Sequence, residues 1–297
     1  MFHEPVMPDA CIQGLNIRPG GDYVDLTHGG GGHSGRILDH LETGRLMAFD
    51  KDEDAGKKAM KDKRFIFIHQ DFRFMKNFLM LYHMIPVDGI LADLGISSHQ
   101  IDTAERGFST RHDGTLDMRM DRRQKLTARD ILETYAEEKL KMIFGMYGEV
   151  RNAGTLARTV SEARKSHDIS TVSGFTRAIS ACIPKGSENR YMAQVFQALR
   201  IEVNGELEAL KLVLEQAAEV IKPGGRLVVI SYHSLEDRLV KNFMRSGRAD
   251  GLMEKDFYGN TSSPWVLVER KALTPAPGEV AANPRARSAK LRIAERV

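Results

Sequence analysis

Short apolar runs alternate with stretches of helical period through the first third of the chain. Strands are predicted at Tyr23–Leu26, Arg45–Asp50, Phe65–His69 and Asp88–Leu94, with helices at Ser34–Leu41, Asp54–Lys61 and Phe72–Met84 between them. That alternation is the βαβ pattern of a parallel sheet covered by helices. It then stops, and the next clean apolar strand, Arg226–Ser231, comes only after a segment far longer than the dozen or so residues that a crossover needs. The intervening patterns are helical, at Ala128–Met146, Thr155–Lys165, Thr171–Ile183 and Tyr191–Ile221. They predict an all-helical domain spliced into an α/β domain: residues 1–106 and 206–297 form the sheet domain and 107–205 the insertion. Lys222–Gly225 reads as the stop after the last long helix. Beyond it a helix at Leu235–Met244 and strands at Trp265–Glu269 and Lys290–Ala294 complete the sheet.

Composition adds little to this picture. The chain has 297 residues, 42% hydrophobic and 28% charged, with a formal net charge of +3. A length of this order suggests about two domains, each with a full core, and excludes disordered, collagen-like and disulfide-knot classes. Cys11 and Cys182 stand far apart with no C-x-x-C, which fits reduced thiols in a cytoplasmic protein. No signal segment and no run of 18 apolar residues is present, so no membrane partner is expected.

The chemistry gathers where the predicted strands end. Val24–Gly35 joins the first strand to the first helix through four successive glycines, Gly29 to Gly32. Glycines there let the backbone approach a ligand and leave helix N–H groups free to donate. Gly30, Gly32 and Gly35 also satisfy G-x-G-x-x-G, so a dinucleotide-dependent oxidoreductase competes with other nucleotide-cofactor enzymes. Asp50 closes the second strand, where a carboxylate accepts ribose hydroxyls in either class. Asp25 favours S-adenosylmethionine, because an acid before the loop welcomes a cationic sulfonium amino acid and repels a pyrophosphate; its other reading is a turn residue capping the loop. Asp71 and Phe72 are placed to hold and flank an adenine, although Phe72 equally suits a helix core. Asp93 emerges from an apolar strand into the polar loop ending at Gln100, at the carboxyl edge where open α/β folds bind ligands.

Three further segments, Ala104–Ser109, Gly114–Asp121 and Ser231–Lys241, join the glycine loop and Asp93–Gln100, with Asn283–Arg296 closing the chain. With these the sequence resembles the MraW/RsmH family of bacterial small-subunit (16S) ribosomal RNA cytosine-N4 methyltransferases, end to end from His3 onward. The resemblance implies a class I methyltransferase (Rossmann-like), mostly parallel sheet with an inserted helical RNA-recognition domain, and S-adenosylmethionine as cofactor. It implies that Gly31, Gly32 and His33 contact the methionine end of the cofactor, that Asp50 holds the ribose, that Phe72 flanks the adenine, and that Asp93 and Gln100 complete the site. Three positions depart from the family pattern: His28 in place of an aromatic, and His99 and Thr115 each in place of a proline.

Cytosine N4 is a poor nucleophile, so the reaction needs an acceptor for its proton. Asp93 is the first candidate; if it binds cofactor instead, Asp117, His233 or Glu236 take that role. Tyr232 is placed to stack on the target base, while the bland reading of its segment is a Ser234 N-cap with Asp237 completing the box. No metal is expected, since transfer driven by the cofactor needs none. Arg106, Arg111, Arg119, Arg122, Arg123 and Lys125 crowd the entrance to the insertion, and Arg285, Arg287, Lys290, Arg292 and Arg296 the tail. They suggest an RNA path on the small ribosomal subunit, although Asp113, Asp117 and Asp121 are interleaved as possible ion-pair partners. Between Asp102 and Glu202, 17 Lys and Arg stand against 14 Asp and Glu, which is the whole excess of the chain. The insertion is therefore expected to face the RNA. A non-catalytic ribosome-assembly factor that only binds RNA is the third reading.

Overall fold

The computed structural model describes residues 5–253 and 263–297; His3, where the family resemblance begins, lies outside them. The chain divides into two compact units, Met1–Gly95 with Leu207–Val297, and Ile96–Glu206. The second unit thus begins upstream of residue 107, taking in the loop that follows Asp93.

In the first unit, α1 (Pro8–Leu15) precedes β1 (Asp22–Asp25), α2 (Gly32–Asp39), β2 (Arg45–Phe49), α3 (Glu53–Gly56), β3 (Phe65–Ile68), α4 (Met75–Leu81) and β4 (Val87–Asp93). The second unit supplies α5 (Ser98–Asp102), α6 (Ala128–Thr134), α7 (Glu137–Met146), α8 (Ala153–Ala163), α9 (Val172–Ala178) and α10 (Glu188–Asn204). The chain then completes the first unit with α11 (Glu206–Val220), β5 (Ile221–Ser231), α12 (Ser234–Ser246), β6 (Trp265–Leu267), α13 (Pro277–Ala282) and β7 (Lys290–Arg296).

The seven strands lie in the order β3-β2-β1-β4-β5-β7-β6. Neighbours from β3 through β5 are parallel, and β7 runs antiparallel to both β5 and β6. Alternate residues of the central strands enter opposite layers. Val24, Ile90, Leu227 and Val229 pack with α4, α11 and α12, whereas Tyr23, Leu91, Val228 and Ile230 pack with α1 and α2. Both faces are covered, and this is why the strands read as near-continuous apolar runs.

Several elements differ from the periodicity. The predicted helix 191–221 is two helices, because Gly205 adopts φ 59° and caps α10 in the left-handed region. The Ala128–Met146 stretch likewise breaks, with Tyr135 in extended conformation. The stop at Lys222–Gly225 follows the end of α11 at Val220, but β5 already starts at Ile221: the four residues bulge out of the pairing with β4, between Val87 and Gly89, with Gly224 at φ 77°. Lys290 and Arg292 belong to β7, where both pair with Asp237, at 3.2 and 2.7 Å. Arg296 donates to the carbonyls of Ala218 and Pro264. These three tail residues are built into the sheet rather than presented as a free basic tail.

The second unit folds around its own apolar cluster, from Leu116 and Met118 to Leu140, Phe144, Leu156, Phe175, Val195 and Leu199. Asn204, buried in α10, accepts from Met120 N at 2.8 Å and donates to the carbonyls of Met118 and Arg200. One amide thereby ties the Leu116–Met120 segment to α10. Among the described residues, no helix is long and apolar enough to cross a membrane.

Candidate active site

The crevice of an open α/β sheet lies outside the strand carboxyl ends where the order reverses, here between β1 and β4. The residues between β1 and α2 make a tight turn at that point. Gly29 and Gly31 have φ of 50° and 82°, and Gly31 N donates to His28 O at 2.7 Å. A side chain at Gly31 would be strained by its φ and would also meet Met60 and the His28 ring. Gly30 has ordinary φ and open space around it, so its glycine is not demanded by the protein's own packing.

Asp25 is fully buried and faces inward. Its oxygens accept from Thr27 N at 3.0 Å and from Ser34 Oγ at 2.6 Å, and Ser34 Oγ lies 2.9 Å from His28 Nδ1. With the serine hydroxyl committed to Asp25, the imidazole must donate through Nδ1. Asp25 therefore acts as the anchor of the loop, matching the capping reading rather than the ligand-facing one. The unusual His28 sits against Phe65 and Phe67, both rings at 5.3 Å, which explains how an imidazole occupies a position where an aromatic was expected. Burial holds its pKa below the ordinary histidine value.

Asp50 accepts from Gly29 N at 2.7 Å and Asp52 N at 2.8 Å, one on each oxygen. Burial outweighs these two donors and raises its carboxyl to about 6. Asp71 pairs with Lys51 at 3.3 Å and with Arg73, and Phe72 packs partly buried against the sheet core. Asp93 ends β4 with its N–H held by Thr27 Oγ1 at 2.7 Å. Its Oδ1 accepts from the Tyr232 hydroxyl at 2.7 Å, and Oδ2 stands 3.5 Å from Nε2 of the buried His33. The carboxylate keeps 21% exposure. Burial acts against a charged His33, but Asp93 and then Asp25 raise its pKa above the usual value. Thr27 and Ser34 went unnoticed in the sequence; their signal was a hydroxyl on either side of the glycine run.

The arrangement suits S-adenosylmethionine. No side chain caps the N-terminus of α2, so its N–H groups are available to a carboxylate. Each Asp50 oxygen has a second lone pair for a ribose hydroxyl, and the part-exposed Asp93 can receive a cation.

Other predicted residues lie elsewhere or are engaged otherwise. Glu236 is 3% exposed and accepts from Tyr232 N at 2.9 Å; with His233 it forms the capping box of α12. The box thus sits one residue earlier than the Ser234–Asp237 reading, and it occupies two of the four acceptor candidates. Gln100, in the second unit, is buried and shares a capping box with Ser97. Asp117 is held by Arg119 in a forked pair, both contacts at 2.7 Å. Burial alone would raise its pKa, but the Arg119 hydrogen bonds bring it below the usual carboxylate value. Arg123 is paired with Asp121.

Arg106 is no RNA contact. It is 1% exposed, donates to the carbonyls of Arg119 and Met120, and packs on Phe108, so it cannot reach an RNA phosphate. Arg111, Arg122 and Arg287 are exposed, and Arg285 is half-buried.

A seven-stranded sheet of this order, with a glycine turn after β1 and acids closing β2 and β4, is that of a class I methyltransferase. The sequence matches the MraW methylase family over residues 1–297, and the chain belongs to that family. It is similar to the protein named "Ribosomal RNA small subunit methyltransferase H" in Cytophaga hutchinsonii, 55% identical over 298 residues and covering 100% of each chain. A relative of the same name in Bacteroides thetaiotaomicron is 52% identical, over 99% of this chain and 97% of that one. Among solved structures, a putative rRNA-methylase from Clostridium thermocellum is similar at TM-score 0.47 and 13% identity, with 100% of both chains covered.

Proposed function

We propose that the protein methylates the exocyclic N4 of a cytidine in the decoding region of small-subunit ribosomal RNA, using S-adenosylmethionine, in the cytoplasm. The observation that carries this reading is 55% identity over the full chain with a relative of the corresponding name. When bound, S-adenosylmethionine would supply an electrophilic methyl group for the amine nitrogen, and Asp93 would accept the proton that the nitrogen gives up.

The chain's part is alignment and charge. Asp50 holds the ribose, the Gly31–His33 turn receives the amino-acid end, and Phe72 lines the adenine side. Asp93 is the catalytic carboxylate. Of the four acceptor candidates it alone is both part-exposed and free of an arginine or helix-cap commitment. Arg111, Arg122, Arg285 and Arg287 supply salt-dependent phosphate contacts, and the target base is unpaired or flipped out.

Incubating the protein with labelled cofactor and unmodified small subunits, followed by nucleoside analysis, tests the reading. N4-methylated cytidine is expected, and its absence would overturn the proposal.

A further inference from the structure

Tyr232 was expected to stack on the target base. Its hydroxyl instead donates to Asp93 Oδ1 at 2.7 Å, and its ring packs against the apolar layer that contains Cys11, Ile230 and Leu291. Tyr232 N is fixed in turn by the buried Glu236 carboxylate at 2.9 Å. Gly95 passes beside the ring, where a Cβ would lie 3.5 Å from Tyr232 Cδ2 in ordinary contact; its φ of 98° is what calls for a glycine.

We propose that Tyr232 is a positioning residue: its hydroxyl occupies Asp93 Oδ1 and so turns Oδ2 toward the bound cofactor and the target amine. Three groups hold Asp93. Thr27 Oγ1 fixes its backbone, Tyr232 takes one oxygen, and His33 stands beside the other. A carboxylate on a short side chain has two torsions, and a donor on one oxygen settles which way the second faces. The hydroxyl proton cannot serve as an acid at neutral pH, because burial and the adjacent Asp93 hold the phenol far above its ordinary range. It remains a fixed donor through the reaction, as preorganised electrostatics require. Glu236 then has a use that its helix cap does not exhaust: it locks the backbone from which Tyr232 reaches Asp93.

This proposal rests on the methyltransferase reading, and its test separates the two. Binding of S-adenosylhomocysteine is measured by calorimetry, and kcat and KM for small subunits by labelled methyl transfer, for the wild-type protein and Tyr232→Phe, which keeps the ring. We expect Tyr232→Phe to weaken S-adenosylhomocysteine binding or lower kcat about ten- to a hundredfold, the loss of one hydrogen bond to a charged group. KM for small subunits should stay within about twofold, as a residue acting through Asp93 rather than through RNA demands. Equal binding and kcat in the two proteins would overturn the proposal, since the ring alone would then suffice. A raised KM for small subunits with unchanged cofactor binding would also overturn it, in favour of base stacking.

A double-mutant cycle guards against a general loss of packing. In an Asp93→Asn background the hydroxyl has lost its charged acceptor, so Tyr232→Phe should add less than about twofold, whereas additive losses would count against the proposal. A wild-type protein that binds no S-adenosylhomocysteine would remove the functional reading and this inference together. A competent wild type with an indifferent Tyr232→Phe removes the inference alone.

Discussion

Two sets of acids, Asp25, Asp50 and Asp93 in the first unit and Asp117 and Asp121 in the second, are partnered in opposite ways. At the sheet edge of the first unit, Asp25 and Asp50 accept, among the described residues, from backbone N–H groups and a serine hydroxyl, and Asp93 from a phenol, with the His33 imidazole nearby. In the second unit, Asp117 and Asp121 are each matched by an arginine two residues on. Neutral donors organise the Asp25 and Asp50 carboxylates without cancelling their charge, and Asp93 shares its charge only with the His33 imidazole, whose pKa it raises, so the first arrangement keeps a negative field for a cationic cofactor. Forked arginine pairs are self-neutralising. Interleaved acids and arginines therefore build the Leu116–Arg123 segment itself, and the charge left over for RNA is smaller than the arginine count suggests.

Removing the charge at the sheet edge should break the contrast most severely. Asp93→Ala is expected to lower methyl transfer by about a hundredfold or more, the range of a lost general base or aligned carboxylate. Single-turnover transfer checks this, and near-normal turnover would remove Asp93 from the chemistry.

Next in size is Arg106→Ala, which should act on stability rather than on RNA. It leaves the Arg119 and Met120 carbonyls without their donor and opens a cavity, at about 2–4 kcal/mol in denaturant unfolding. The salt slope of RNA binding should not change. Arg111→Ala is the counterpart: unaltered unfolding, with a salt slope shallower by about one phosphate contact.

Asp50 gives a smaller, pH-dependent effect. Burial raises its carboxyl from 3.8 to about 6, so between these values the folded protein holds a proton that the unfolded chain has released. The contribution of Asp50 to stability therefore falls as pH rises from 3.8 to about 6 and is flat above it. The stability difference between wild type and Asp50→Asn should accordingly favour wild type more at acid than at alkaline pH. Cofactor affinity should move the opposite way, weakening as pH drops through about 6, because a protonated carboxyl has less to offer the ribose hydroxyls. Calorimetry across that range decides it.

Least affected should be Asp117→Asn. The pair is mostly covered, at 23% and 18% exposure, but Asn keeps one acceptor for Arg119, which also holds the carbonyls of Arg122 and Gln124, so the loss is about 1–2 kcal/mol. Turnover should be unchanged, and a collapse in rate with intact folding would restore Asp117 as proton acceptor.

The strands were legible because both faces of the sheet are buried, which writes them as apolar runs. Each of the seven lies where a run was read, within a few residues except for the early start of β5. The misreadings are local and have local causes. Gly205 interrupts a helical period that continues on both sides of it, and a period cannot register a single left-handed residue. Lys222–Gly225 does follow the end of α11 at Val220, but the strand begins before it: β5 pairs with β4 at Ile221 and again from Arg226, with the four residues between them unpaired in the ladder.

By itself the sequence determined which chemical groups stand at the strand ends: the glycine turn and the carboxylates at 25, 50 and 93 follow from where apolar runs stop. Only the tertiary structure decided which partner each group takes. Asp25 and Asp93 both close apolar strands, yet one is sealed behind Ser34 and the other is held open by Tyr232, some 140 residues further along the chain. Arg106 and Arg111 are neighbours in sequence, one buried under two carbonyls and one exposed. Spacing along a chain reports periodic burial, whereas hydrogen-bond partners depend on distances that exist only once the chain has folded.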